Sequence, residues 1–472
     1  MLRNFHLVTL LGLLLLLGCD TQNPPEVIDG PQSLTIFFIN DPHSQLDNFA
    51  KIKPIVDAAR EQGNTLLVAG GDIFSGSPYV DQYAEKGFPI IDVMNETGFD
   101  AAVIGNHEFD YGLEILQNRI EQSQFAWVCA NVNAESSPLT QPDAYRTLTV
   151  GDVRVTFLGL VETNGQEGAV IPATHPWKVA EVSFQPYEEV VGNYADLKAQ
   201  EDADVFIALT HLGIWADQYL ANNWPYFDLI IGGHSNHESL EIVNGIPTLM
   251  AGSYLSHLGR IDLKIENGEV SITHSELIDL NQQTEEDAAL AQLIAGYTEN
   301  PDFAAVIGTA ASHHDRTELG CFYTEALATY MGVDIAFQNG GGIRTDLAAG
   351  DITPFEIYSI DPFNNGSVVF TKTVREIKDF FIQTGQGLHV YGITLERVGN
   401  DLVIRNQNGE VLDDNVSLTL GINDYIPATN PGYFDIGQAD IRPLTTAETL
   451  VDYLKTVNST VNHEGCNHYF RY

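Results

Sequence analysis

Residues 34–43 read LTIFFINDPH, an unbroken apolar run that ends on an amide, a carboxylate and an imidazole. A run of this length, rich in β-branched and aromatic residues, predicts a buried strand. Four later runs repeat the pattern: TLLVAGGD at 65–72, AAVIGNHEFD at 101–110, VFIALTHLG at 205–213 and DLIIGGHSN at 228–236. Each places polar groups just past the C-terminal end of a strand, where α/β sheets carry their sites. Between them, Phe49 to Gln62 and Phe88 to Thr97 have helical apolar spacing. The stretch RTLTVGDVRVTFLGLV, 146–161, has the strand–turn–strand pattern of an antiparallel pair. The expected class is α/β.

The strand ends supply Asp41, His43, Asp72, Asn106, His211, His234 and Asn236. This mixture of carboxylate, imidazole and amide oxygen suits divalent ions such as Zn²⁺, Mn²⁺ or Co²⁺. Asp41 and His43 are two residues apart, so extended backbone would point both to one side; His234 and Asn236 stand in the same relation. A single carboxylate such as Asp72 can bridge two ions at the separation two-metal hydrolysis needs. Glu108, within the GNHEFD motif, receives no role in this reading.

A polar, Ala-rich segment from Thr284 to Tyr297 predicts a connecting helix into a second region that starts near Val306. That region has its own loops: QNGGGIR at 338–344, DPFNNGS at 361–367 and INDYIPATNPGYF at 422–434. Three consecutive glycines let backbone approach a ligand closely, and Arg344 offers a planar fork for a phosphate or carboxylate.

The ordered set DxH, GGD, GNHEFD, THLG and GGHSN, followed by NGGGIR and DPFNN, resembles the 5′-nucleotidase family, which joins a calcineurin-like metallophosphoesterase domain to a 5′-nucleotidase C-terminal domain. The resemblance implies a four-layer α/β/β/α sandwich followed by a second α/β substrate-binding domain. It implies two divalent cations, one surrounded by Asp41, His43, Asp72 and Asn236, the other by Asp72, Asn106, His211 and His234. It makes His107 and Asp110 the catalytic dyad, and implies a substrate pocket of Arg316, Asn339, Arg344, Phe363, Asn365 and Tyr425. Phe363 and Tyr425 would sandwich a nucleobase. One departure stands out. Where the family carries a ribose-binding aspartate, this chain has Pro431, with Asn430 beside it as a conceivable substitute. The implied activity is hydrolysis of nucleotide phosphate esters. Open beside it are another ester (nucleotide sugar, cyclic nucleotide, sugar phosphate or thiosulfate-type) and a binding protein without turnover.

The bulk properties fit an exported enzyme. The 472 residues exceed one ordinary core, and 64 acidic against 22 basic residues give a formal charge of −42. Such a surface argues against nucleic acid polymers and anionic membranes as partners, and the scattered acids suit a soluble exterior. The start reads as a short basic segment, an apolar run from Leu7 to Leu17 and a lipobox-like Gly18-Cys19. The expected organisation is a lipoprotein signal over 1–19 with Cys19 acylated and a tether over 20–32. The metallophosphoesterase domain would span 33–282, a linker helix 283–305 and the specificity domain 306–472. The expected location is the bacterial periplasm or cell surface, with membrane contact only through the lipid anchor. Beyond Cys19 there remain Cys129, Cys321 and Cys466, an odd number that leaves at least one thiol outside an internal disulfide.

Overall fold

The computed structural model describes residues 30–166 and 168–472; the signal segment, Cys19 and most of the tether lie outside the described residues. The five apolar runs form the strands Gln32–Ile39, Thr65–Ala69, Ala101–Val103, Val205–His211 and Leu229–Ile231. The first three are parallel neighbours in one six-stranded sheet, and the last two are parallel neighbours in a second. The 146–161 segment is the expected antiparallel pair, Tyr145–Val150 with Val153–Val161.

Side-chain parity divides these strands between layers. Ile36 and Phe38 belong to the core between the two sheets, together with Val155, Phe157, Val205 and Ile207. Phe37 and Ile39 face the other way, into a core shared with helices Phe49–Arg60 and Phe88–Thr97. On the second sheet, Phe206 and Ala208 pack outward against Leu220 and Ala221 of helix Ile214–Asn223. Because successive residues point to opposite faces, each strand is buried on both sides and reads as continuously apolar. The result is the helix–sheet–sheet–helix sandwich. Helix Ala288–Thr298 contributes Leu290 and Ile294 to the outer core of this sandwich.

The second unit is built on a six-stranded sheet in the order Asp440–Thr445, Gly366–Thr373, Ser417–Asn423, Ile335–Asn339, Gly387–Tyr391, Tyr469–Arg471. Helices Arg316–Met331 and Thr446–Thr456 share one core with it, and helix Val374–Thr384 another. All three begin with a capping box, on Asp315, Thr445 and Thr373, so their first-turn N–H groups have acceptors. Cys321 and Cys466 form a disulfide across a separation of 145 residues. Cys129 is free and buried, and burial pushes its thiol up to about 12. No helix among the described residues is long and apolar enough to cross a membrane.

Phe38 is fully buried and lies across Gly259 of the neighbouring strand, where an added Cβ would run into its ring. Phe38→Ala is therefore expected to lower the unfolding free energy by about 3–5 kcal/mol. Ile242→Ala, at a position 65% exposed, should change it by less than about 0.5 kcal/mol. Urea denaturation of both variants checks the placement, and equal effects would contradict it.

Candidate metal centre and active site

The strand ends of both sheets open on one cavity of about 240 Å³, whose walls include His43, Asp72, Asn106, His107, His234 and Asn236. Asp41 and His211 sit one layer behind them, fully buried. Asp72 Oδ2 lies 3.0 Å from His211 Nε2. Asn106 Oδ1 lies 3.2 Å from His211 Nε2 and 3.0 Å from His234 Nδ1. His43 Nε2 is 3.9 Å from Asp41 Oδ1. All seven candidate ligands thus come to one place. Asn236 is the loosest, exposed and with its amide nitrogen 3.4 Å from His234 O.

The backbone that presents them differs from the extended presentation expected. Asp41, His43, Asp72, His234 and Asn236 all have left-handed backbone, with φ between 47° and 78°. Extended backbone would have continued each strand away from its neighbours. The left-handed residue instead turns the chain sharply at the strand end, at roughly 1–2 kcal/mol per residue. Glycine makes the close approach possible. A Cβ on Gly71 would stand 2.6 Å from His211 Nδ1, and one on Gly105 would run into Asp72 Oδ1.

A carboxylate without an assigned role holds these loops. Glu108 is fully buried and accepts backbone N–H bonds from Asp72, Ile73, Phe74 and Gly105 at 2.5–3.4 Å. Burial, helped by the Asp72 carboxylate, pushes its pKa up to about 7. Its place in the motif gives a clue, since the tight loops on either side carry N–H groups that no strand can pair. Asp81 acts similarly further out, accepting from Ser44 Oγ and Gly76 N.

The donor set fits divalent cations. His43 Nδ1 meets Ser75 O at 3.1 Å and His211 Nδ1 meets Gly70 O at 2.7 Å. Each carbonyl accepts the ring proton, so each Nε2 lone pair turns towards the carboxylates. That is the orientation of metal-binding imidazoles. Donor separations of 3.0–3.2 Å match the spacing of about 3.0–3.4 Å that bonds of about 2.1 Å to one shared cation would give.

His107 Nδ1 and Asp110 Oδ2 are 2.6 Å apart, and Thr174 Oγ1 donates to Asp110 Oδ1 at 3.2 Å. Burial alone would lower the His107 pKa, but Asp110 and Asp72 outweigh it and raise it to about 9. Desolvation would raise the pKa of half-buried Asp110, yet the imidazole holds it down at about 2.

The second unit closes the cavity. Arg344 places Nη2 3.2 Å from His43 Nε2, and its guanidinium lies over the rings of Phe363 and Tyr254. Phe363 stacks on His107, with ring centroids 5.6 Å apart. Tyr425 meets His175 edge-on, and His175 Nε2 is 3.2 Å from Asp424 Oδ1 across the two units. Asn339 and Asn365 also line the cavity; the Asn365 amide oxygen is buried without a partner. Arg316 does not reach it and lines an adjoining outer cavity. The Asn430 amide nitrogen donates to Ile426 O and Thr429 Oγ1 within its own short helix. Tyr254, Thr174 and His175 carry no sequence signal, because only the folded loops bring them here.

Comparison with known proteins agrees with this geometry. Residues 34–238 match the calcineurin-like phosphoesterase family, and residues 294–436 match the 5′-nucleotidase C-terminal domain. The chain is therefore a metallophosphoesterase, a class that is metal-dependent. More narrowly, it belongs to the 5′-nucleotidase family and is a phosphoester hydrolase. It is 26% identical over 533 residues to the 5′-nucleotidase of Vibrio vulnificus, covering 93% of each chain. It is 28% identical over 485 residues to the trifunctional nucleotide phosphoesterase protein YfkN of Bacillus subtilis, with 88% of this chain aligned but only 33% of that longer protein. In fold it resembles the 5′-nucleotidase precursor of Thermus thermophilus, with a TM-score of 0.80 at 22% identity over 92% of this chain and 98% of the other.

Glu108→Ala would leave four backbone N–H groups without their acceptor. Expected is a loss of about 3 kcal/mol or more in stability together with a 10–100-fold loss of metal affinity. Glu108→Gln, which keeps one acceptor oxygen, should fall between. Thermal unfolding and metal titration read the two effects, and unchanged metal affinity in Glu108→Ala would refute the positioning role.

Proposed function

We propose that this chain is an extracytoplasmic phosphohydrolase with a two-cation centre that releases phosphate from nucleotides. The observation that carries the reading is the shared cavity, which joins the histidine–carboxylate cluster to Arg344, Phe363 and Tyr425. Asp41, His43, Asp72 and Asn236 would hold one cation and Asp72, Asn106, His211 and His234 the other. When bound, such ions lower the pKa of water and draw charge from phosphoryl oxygens. The catalytic unit spans 33–282 and the specificity unit 306–472, joined by 283–305.

The protein's own groups supply the rest. Arg344 takes the phosphoryl group, its guanidinium held in place over Phe363 and Tyr254. In the hydrolysis, the oxygen of a water bonds to phosphorus while the opposite P–O ester bond breaks; one water proton stays on the phosphate, and the other is released to solvent, from which His107 regains the proton it gives up. His107, kept protonated by Asp110, donates a hydrogen bond where negative charge develops and its proton to the departing alcohol. Thr174 fixes Asp110, and Asp110 fixes the imidazole. Phe363 and Tyr425 offer ring faces to a base, and the unpaired oxygen of Asn365 offers it an acceptor.

The same chemistry on a less ordinary ester is the second reading. It is favoured by Pro431, which has no carboxylate for ribose hydroxyls. Export is supported by the lipobox-like start and by the Cys321–Cys466 disulfide, which belongs in an oxidising compartment.

Purified protein loaded with Zn²⁺, Mn²⁺ or Co²⁺ should release phosphate from AMP, and chelation should stop it. Asp72→Ala should lose metal and turnover together. His107→Ala should keep its metal and lose about 10²–10³ in kcat. A phosphate-release panel over nucleotides, nucleotide sugars, cyclic nucleotides and sugar phosphates tests both readings, and inertness on all of it would end them.

A further inference from the structure

Beside the catalytic cavity lies a larger one of about 910 Å³, and the two share Asn339, Gly341 and Tyr425 in their walls. The inner cavity, at about 240 Å³, falls below the roughly 300–1,000 Å³ that drug-sized ligands fill. A substrate whose organic part outgrows the inner cavity has room to extend past Tyr425 into the outer one.

The outer cavity is built by an unexpected segment. The strand Tyr469–Arg471 pairs antiparallel with Gly387–Tyr391 as the last strand of its sheet, setting Tyr469 opposite His389 and Arg471 opposite Gly387. Alternation puts Phe470 on the core face, where it packs against Phe381, and leaves Tyr469 and Arg471 together on the other. Both line the outer cavity. The fit is close: a Cβ on Gly387 would run into the Tyr469 hydroxyl. The disulfide from Cys466 to Cys321 fastens this segment to helix Arg316–Met331, whose first residue, Arg316, lines the same cavity.

Charge points the same way. Most arginines of the described residues are ion-paired, but Arg316 and Arg471 have no carboxylate partner among the described residues. The acids beside Arg316 in sequence are engaged with the backbone. Asp315 accepts from Thr317 N and Glu318 N, and Glu318 accepts from Asp315 N and Gly465 N. In a chain of formal charge −42, two unpaired guanidinium groups on one cavity form a local exception to the surrounding field.

We propose that the outer cavity is a second anion subsite, in which Arg471 and Arg316 grip a further phosphate on the organic part of the substrate, with Tyr469 as its wall. The favoured class is a phosphate ester that carries a second phosphate, as in a nucleoside bisphosphate or a dinucleotide. This rests on the phosphohydrolase reading above and narrows its substrate.

The probes are adenosine 3′,5′-bisphosphate and AMP, measured on the oxidised full chain. Two readouts are used: equilibrium binding in EDTA, and kcat/KM for the metal-loaded enzyme. The wild type should favour the bisphosphate at least tenfold in both. Arg471→Ala should bring that ratio close to one, Arg471→Lys should retain part of it, and Cys466→Ser, which releases the strand, should lower it as Arg471→Ala does. Hydrolysis of AMP with no preference for the bisphosphate, or a preference that survives Arg471→Ala, overturns the subsite while leaving the phosphohydrolase reading intact. Arg471-dependent binding of the bisphosphate by a protein inert on every ester upholds the subsite and overturns the hydrolase reading instead.

Discussion

Strands that end at a shared site leave backbone N–H groups pointing at each other's loops, and those groups must find acceptors without pushing the loops apart. Glu108 meets that requirement. Its two oxygens take four N–H groups from the loops that carry Asp72 and Gly105, so one side chain ties together the ends of two neighbouring strands. A neutral acceptor would leave part of this set unpaired in a buried region, where each orphaned group costs about 1–3 kcal/mol. Of the left-handed turns, the one at Asp72 is held by this brace directly, and those at Asp41 and His43 lean on the same loop through Asp41 N to Gly71 O and His43 N to Asp72 O. Residues held in such backbone persist only where the surroundings over-determine them.

With the first unit braced, the second has a fixed surface to close upon. Arg344 bonds towards His43, Phe363 covers His107, and Gln82 Nε2 donates to Asn364 Oδ1 at 2.8 Å. The contacts pair a cation, an aromatic ring or an amide from one unit with an imidazole or amide from the other. In the proposed reading, the rings for the organic part of a substrate come from one unit, the cation donors and His107 from the other, and Arg344 reaches across from the first of these to the phosphoryl group. Substrate preference can change in the second unit without disturbing the donors in the first. Pro431 and the disulfide-tethered strand both lie on that second side.

The sheets and the donor set are legible in the sequence because they are local. A buried strand shows itself by an apolar run and its end by the first polar residue, so LTIFFINDPH announces both the strand and Asp41. The two-sheet sandwich is legible only through the family resemblance, since strands buried on both faces suit a single helix-covered sheet equally well. What cannot be read depends on long-range meetings. Glu108 reads as a spectator because its partners are loops more than thirty residues upstream as well as Gly105. Tyr254 and His175 reach the site from loops without motif character. The extended presentation expected for Asp41–His43 and His234–Asn236 fails for a related reason. Spacing of two gives the same side only if the backbone stays in the β region, and a tight strand-end turn abandons it. Resemblance draws Arg316 to the catalytic pocket, whereas the helix that begins with it opens on the outer cavity.

A protein this acidic repels phosphate esters at a distance, and salt screening confines that repulsion to about 10 Å. Within that range the arginine placement decides what can stay. The cavity system holds three arginines, Arg344 inside and Arg316 and Arg471 outside, while most others are neutralised by nearby carboxylates. A substrate with one phosphate is served by the inner group alone. The outer pair then faces only the field of the surrounding acids, which two unpaired cations relieve but do not need to be aligned to relieve. Placing both on one cavity, with Arg471 carried there by an edge strand that a disulfide tethers, makes physical sense when a second anion is to be held beside the first.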